Sequence, residues 1–242
     1  MSKLKEKSKK SKEKSKKYYD LIYKKKGLEA QRRYPNEELC RFFGRNFFHI
    51  DKKKRKHIKV LETGCGSCGN LWMIAKEGFA AYGIDFSNEA IKVAKKFFKK
   101  QKLKGFFTKG DFTSMNYKNN FFNCVVDVFS SCCLSKIDGE RYIKDVNRIL
   151  KKNGKFFTYF SSKKSDMFKF SSRKMLDKDT LISLKQKSAF KVDHAQRFMG
   201  LNQYCDLLLK NGFKVEYKEE LMRTYFFTRE KFYFNVIEAK KF

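Results

Sequence analysis

Long apolar runs are missing from this sequence. No stretch reaches the ~18–20 apolar residues needed to span a bilayer, and the N-terminus has no apolar segment of the secretory-signal kind, so no membrane span and a cytoplasmic address are expected. Histidine is scarce: His49, His57 and His194 are the only three, and they form no ligand pattern. The seven cysteines are an odd count in a chain without small disulfide-module character, so reduced thiols are expected. Cys65 and Cys68 have C-x-x-C spacing, but they lie inside a glycine loop where small side chains are wanted, so no metal is expected. Proline occurs once, at Pro35.

Negative charge is also short. Against 57 Lys and Arg stand 26 Asp and Glu, a formal net charge of +31. The segment MSKLKEKSKKSKEKSKK holds nine lysines and two glutamates, which leaves +24 on the rest. Such a field attracts polyanions, nucleic acid and phosphorylated small molecules included. Lys far outnumbers Arg, however, whereas specific phosphate readers favour Arg forks. Abundant Lys, Phe, Asn and Ile also fit an AT-rich genome, so much of the basicity reads as background.

Residues 1–16 are low-complexity Lys/Ser/Glu and are expected to be a disordered tail, at best a frayed solvated helix. Residues 17–242 have the length of a single domain. Within it, 17–55 should be N-terminal helices: Tyr18, Leu21 and Ile22 recur at helical intervals, and Leu39, Phe42, Phe43 and Phe47 share a face after Pro35. Beyond DKKKRKH the rhythm becomes strand and helix in turn. IKVLET (58–63), AAYGIDF (80–86), KGFFTKGDF (104–112), FFNCVVDVFSS (121–131) and KFFTYFSS (155–162) read as strands. Helices are expected over 69–79, 87–101 and 139–154, the last stopped by Asn153-Gly154. This alternation argues for a doubly wound α/β sheet. Residues 163–200 break the pattern and read as an insertion over the active site, weakly helical around DKDTLISLKQK. A helix over 201–213 and two closing strands follow.

The chemistry gathers at LETGCGSCGN (61–70). Gly64, Gly66 and Gly69 have the G-x-G-x-x-G spacing of dinucleotide loops, and the loop follows a strand and opens a helix. A pyrophosphate would sit at that helix N-terminus, where Glu62 adds repulsion. A cofactor with a sulfonium and an ammonium group would welcome the same carboxylate. Asp85, at the end of the second strand, suits ribose hydroxyls of either cofactor. Asp111, after the third, suits an adenine amino group with Phe112 packed on the ring. One Asp after a strand is a common cap or turn residue; three acids in phase after G-C-G point to a cofactor site.

The stretch VLETGCGSCGNLWMIAKEGFAAYGIDFSNEAI resembles the class I S-adenosylmethionine-dependent methyltransferases, in particular small-molecule bacterial members, and the resemblance covers residues 56–160 best. It implies a Rossmann-like, seven-stranded sheet with helices on both faces and an antiparallel last strand, and S-adenosyl-L-methionine as cofactor. By resemblance, Glu62, Gly64, Cys65 and Gly66 hold the methionine part, Asp85 with Phe86 the ribose, and Asp111 with Phe112 the adenine. Asn70 fits a helix-start position near the cofactor. Cys68 departs from the family, where many members carry a third glycine. RRYPNEE resembles an element that lies over the cofactor, which would place Arg33 on its carboxylate and Tyr34 over the sulfonium. Asp127, in the strand that faces the active site, is a further cofactor contact, and Asp127 or His194 is the candidate base. Tyr159, Ser161, Ser162, His194 and Arg197 are candidates for the substrate side.

The function expected is methyl transfer to an O or N acceptor on a small molecule, such as a sugar or anionic metabolite. The alternative is methylation of ribosomal or transfer RNA, with the Lys-rich tail as a tether. Nucleic-acid base amino-methyltransferases carry an N/D-P-P-Y/F type motif after the fourth strand; this chain has no proline there, which argues against that chemistry. A nicotinamide oxidoreductase is disfavoured by Glu62 and Asp111, and a noncatalytic binding protein with this fold stays open.

Overall fold

The first strand is short and almost wholly buried because it is covered on both sides. In the computed structural model of the chain, which describes residues 3–171, 174–182 and 194–242, β1 (Lys59–Thr63) lies between β2 (Ala80–Asp85) and β4 (Phe122–Val128) and pairs in parallel with both. β3 (Phe106–Lys109) and β5 (Leu150–Ser161) extend the parallel sheet outward. β9 (Phe213–Tyr225) and β10 (Glu230–Lys241) close it, with β10 antiparallel to β5 and to β9. The order is β3-β2-β1-β4-β5-β10-β9, and the order switch between β1 and β4 opens a crevice at the strands' carboxyl ends, where ligands bind in such sheets.

Helices cover both faces. On one, Leu39, Phe42 and Phe43 of α2 (Glu37–Asn46) pack with α3 (Gly69–Lys76) and α4 (Asn88–Lys100). On the other, Tyr142, Ile143 and Val146 of α5 (Lys136–Ile149) pack with Tyr204 and Leu208 of α7 (Leu201–Leu209). Side-chain caps set three helix starts: Asn36 accepts from the Leu39 N–H, Ser87 from Ala90 and Ser135 from Asp138.

Four expectations are corrected. Residues 3–26 form one helix, α1, where the composition predicts a tail that is disordered or frayed. On its inward face Ser8, Ser15 and Tyr23 are buried; Tyr18 and Ile22 are half-buried, and Leu21 is exposed. Serines hide this face from a hydrophobic-pattern reading, yet their small side chains admit close approach, and Ser8 hydrogen-bonds to Ser135 and Asp138. α5 begins at Lys136, with Gly139 inside it, because Ser135 is the cap. It ends at Ile149, and Asn153-Gly154 instead forms an irregularity inside β5, with Asn153 at φ 61°. In the insertion, α6 (Asp166–Lys169) precedes a small sheet of β6 (Met175–Asp177), β7 (Thr180–Leu181) and β8 (Gln196–Arg197). The start of the helix expected in DKDTLISLKQK is thus strand and turn, and residues 183–187 of it lie outside the described residues.

Candidate active site

A cavity of about 400 Å³ opens where β1, β2 and β4 end, and α1, the segment 30–36 and the insertion roof it. Its floor is the glycine loop. Gly64 has φ 63° and donates its N–H to the Ile84 carbonyl at 2.8 Å; a Cβ there would stand 2.3 Å from the Ser130 Cβ. Only glycine meets both demands. Cys68 takes φ 66° at the head of α3, a left-handed position in a buried thiol.

Glu62 is the centre of the site. The β1 backbone carries it to the cavity, where it is 3% exposed. Asn70 Nδ2 donates to Glu62 Oε1 at 2.6 Å, and Asn70 Oδ1 accepts the Asn36 N–H at 2.9 Å, so one amide ties the loop to the roof. Glu62 Oε2 is buried without a hydrogen-bond partner among the described residues. Burial pushes the carboxyl up to about 8, against the pull of Asn70 and of the Leu71 N–H and with help from Asp85 and Asp127. A buried carboxylate oxygen without a donor is expensive, and a cationic ligand group beside it would relieve that cost.

Asp85 does two things. Its Oδ2 accepts the Gly66 N–H at 2.9 Å and its Oδ1 the Ser87 N–H at 2.8 Å, so it braces the loop it faces. Burial raises it to about 6, partly countered by those N–H donors. Ser87 in turn donates to Asp20 of α1 at 2.6 Å. Beyond Phe112, which lines the same cavity, a second cavity of about 300 Å³ is bounded by Asp111 and by Lys12 and Lys16 of α1. Burial works upward on Asp111, but Lys12 Nζ at 2.8 Å and the Thr113 N–H at 2.8 Å outweigh it and hold the carboxyl below its ordinary value.

Among solved structures the fold is similar to that of the PH0226 protein from Pyrococcus horikoshii OT3, with TM-score 0.66, 23% identity, 85% of this chain and 89% of that one covered. It is similar also to an S-adenosylmethionine-dependent methyltransferase from Methanosarcina mazei, with TM-score 0.65, 18% identity and coverage of 76% and 92%. A family described as methyltransferase domain matches residues 60–154, β1 through the turn in β5. This stretch matches a methyltransferase domain. Sterol 24-C-methyltransferase ERG6 of Saccharomyces cerevisiae is 32% identical over 103 residues, which are 41% of this chain and 26% of that protein. The chain thus aligns with about a quarter of the length of this curated relative.

Of the residues singled out from the sequence, the domain brings Glu62, Gly64, Cys65, Asn70, Asp85, Phe86, Phe112, Tyr34 and Ser161 to the main cavity. Asp111 faces the second cavity, and Gly66 lies behind the wall with its N–H on Asp85. Five more residues singled out from the sequence lie elsewhere. Asp127 is fully buried and spent: Oδ1 accepts the Ser130 and Ser131 N–H groups at 3.0 and 3.1 Å, and Oδ2 accepts from the Ser131 and Thr158 hydroxyls. It anchors the turn after β4 and has no free oxygen for a cofactor or an acceptor proton. His194 is off the cavity, its Nδ1 2.9 Å from the Ala195 carbonyl and its ring 4.9 Å from Tyr18 and 5.1 Å from Tyr19. Arg197 is buried with one nitrogen on Met199 Sδ. Tyr159 stacks on Phe234 behind Phe129, which itself lines the cavity. Arg32, not Arg33, reaches the cavity.

Sequence reasoning missed Tyr19 and Tyr23 of α1, Gln31, Cys132 and Cys133 after β4, and Met167 and Gln196 of the insertion, all on the cavity wall. The i, i+4 spacing of Tyr19 and Tyr23 was a usable signal. The insertion residues carried none, because which side of a loop faces a cavity is decided by the elements it packs on.

Proposed function

We propose that the protein transfers a methyl group from S-adenosylmethionine to an O or N acceptor on a small molecule, with sugars and anionic metabolites as the first compounds to screen. The observation that carries this reading is the orphaned Glu62 Oε2, buried at the head of α3. A carboxylate held there suits a cationic ligand and opposes the pyrophosphate of a nicotinamide cofactor. When bound, the cofactor supplies an electrophilic methyl on sulfur. The chain's own part is to orient and to exclude water. Glu62 holds the ammonium end, Arg32 is placed for the carboxylate, Asp85 receives the ribose hydroxyls, and Phe112 packs on the base.

The acceptor side falls to Phe129, Met167 and Phe232, with Ser161 and Gln196 as the polar groups. Neither Asp127 nor His194 lines the cavity, and the part we assign to the chain is alignment of the acceptor with the methyl group. A cavity of about 400 Å³ under α1 favours a small acceptor; the net charge of +31 is what favours RNA instead.

Calorimetric titration with S-adenosylmethionine, S-adenosylhomocysteine and NADH tests the cofactor. The first two should bind and NADH should not; NADH binding alone would overturn the reading. Asp85→Ala should weaken binding roughly 10- to 100-fold, on the order of 1.5–3 kcal/mol for hydrogen bonds to a charged group. Asp85→Asn should lose less, since its amide still accepts one of the two loop N–H bonds. Specific RNA binding that weakens steeply with salt and falls on deletion of residues 1–17 would favour the RNA acceptor.

A further inference from the structure

The turn between β9 and β10 is not used by the site. Phe226 is about half exposed there, and Phe227 is 97% exposed. Phe226, Phe227 and Thr228 take φ of 51°, 54° and 70°, three successive left-handed residues without a glycine. Bulky and β-branched side chains avoid that region, and a strained run persists where the surrounding structure enforces it, often for function. Here a 12-residue and a 13-residue strand, paired through Tyr225 and Glu230, hold the turn in place. The effect is to stand Phe227 in solvent at the apex of the hairpin, with Phe226 half exposed beside it.

We propose that this apex docks the protein on an anionic lipid surface. Charge supports that occupant. Residues 223–231 hold Arg229 and Lys231 beside the acid Glu230, and Arg223, which lies 3.7 Å from Glu37 and Glu38 of α2, on a chain of net charge +31. The Lys231 N–H donates to Asp166, the first residue of α6, so one acid of α6 lies at the same edge. Apolar side chains that enter the headgroup boundary, flanked by cations, describe an interfacial anchor. The rings are too little surface for a second copy of the chain. Two phenylalanines bury about 150–250 Å² each, well under the ~800 Å² per partner of a stable dimer. A single-stranded nucleic acid calls for aromatic platforms along a charged groove, and the rings stand at a convex tip. β10 runs from this tip to Phe232 on the cavity wall, so docking would bring the mouth of the cavity near the lipid.

Flotation of the full chain with vesicles tests this. Two compositions are compared: equal parts phosphatidylglycerol and phosphatidylcholine, and phosphatidylcholine alone. The wild type should float with the first and not the second. The double variant Phe226→Ser, Phe227→Ser should lose roughly tenfold or more in partitioning, with unchanged melting temperature and S-adenosylmethionine binding. Equal flotation of the variant would assign the attraction to lysines at large and overturn the proposal. So would failure of the wild type to float. A variant that instead loses self-association, or binding to single-stranded RNA, while vesicle binding is unchanged would also overturn it.

Discussion

Titration with S-adenosylmethionine one pH unit below the Glu62 transition is expected to show weaker binding than at the transition, with close to one proton released per ligand. Free Glu62 takes its proton near pH 8 because burial disfavours the charge. A cationic ligand needs the carboxylate, so below pH 8 binding must expel that proton, and affinity falls by up to tenfold per pH unit. Calorimetry in two buffers of different ionisation enthalpy reads the release directly. The ligand's own amine titrates in a similar range, so the comparison is Glu62→Gln. That variant keeps the shape and the Asn70 contact, should bind roughly 10- to 100-fold more weakly, and should lose the extra proton release. Identical proton release in wild type and variant would remove Glu62 from the site.

The same shift has a sign for stability. A carboxyl whose folded value is raised contributes stability that is full below its unfolded value and lost as pH rises through the folded one. For Glu62 that window runs from about 4.5 to about 8, and for Asp85 from about 3.8 to about 6. The ligand-free protein should therefore melt at progressively lower temperature across these windows as pH rises, and S-adenosylmethionine should restore most of the loss.

Gly64→Ala is expected to be the most damaging single methyl group in the chain. The added Cβ would stand 2.3 Å from a Cβ of Ser130 at a backbone φ of 63°. Left-handed strain of about 1–2 kcal/mol and overpacking of about 1–3 kcal/mol act together. For a chain of this length the melting temperature should fall by roughly 4–20 °C, with loss of cofactor binding. Gly44→Ala is the opposite case. It lies in α2 with nothing within 4 Å of its Cβ position, and should stabilise by roughly 0.5–1 kcal/mol through helix propensity. Thermal melts of both variants check the pair. Similar shifts in the two would show that the loop does not sit against Ser130.

How much of this was legible depends on where each signal lives. β1, β2 and β4 were readable because strands covered on both faces carry short apolar runs, and Gly64, Glu62 and Asp85 were readable because a loop and two strand ends place them by local geometry. Asp127 shows the limit. Its position after an apolar strand is the same kind of signal, yet the 3₁₀ turn at Ser131–Cys133 folds back and covers its carboxylate. The N-terminal segment shows another limit. A face of serines on a lysine-rich helix has almost no hydrophobic pattern, and its partners, Ser135, Asp138 and Asp111, lie about a hundred residues or more away.

The sequence by itself determined the alternation of strand and helix, the glycine loop, and the acids at the ends of three strands, because each rests on backbone geometry within a few residues. Tertiary structure alone decided that α1 roofs the cavity, that Arg32 and not Arg33 reaches it, that Asp127 and His194 are withheld from it, and that Phe227 stands clear of the surface. These depend on which distant surfaces meet, and contacts between residues far apart in the chain leave no period for a sequence reading to detect.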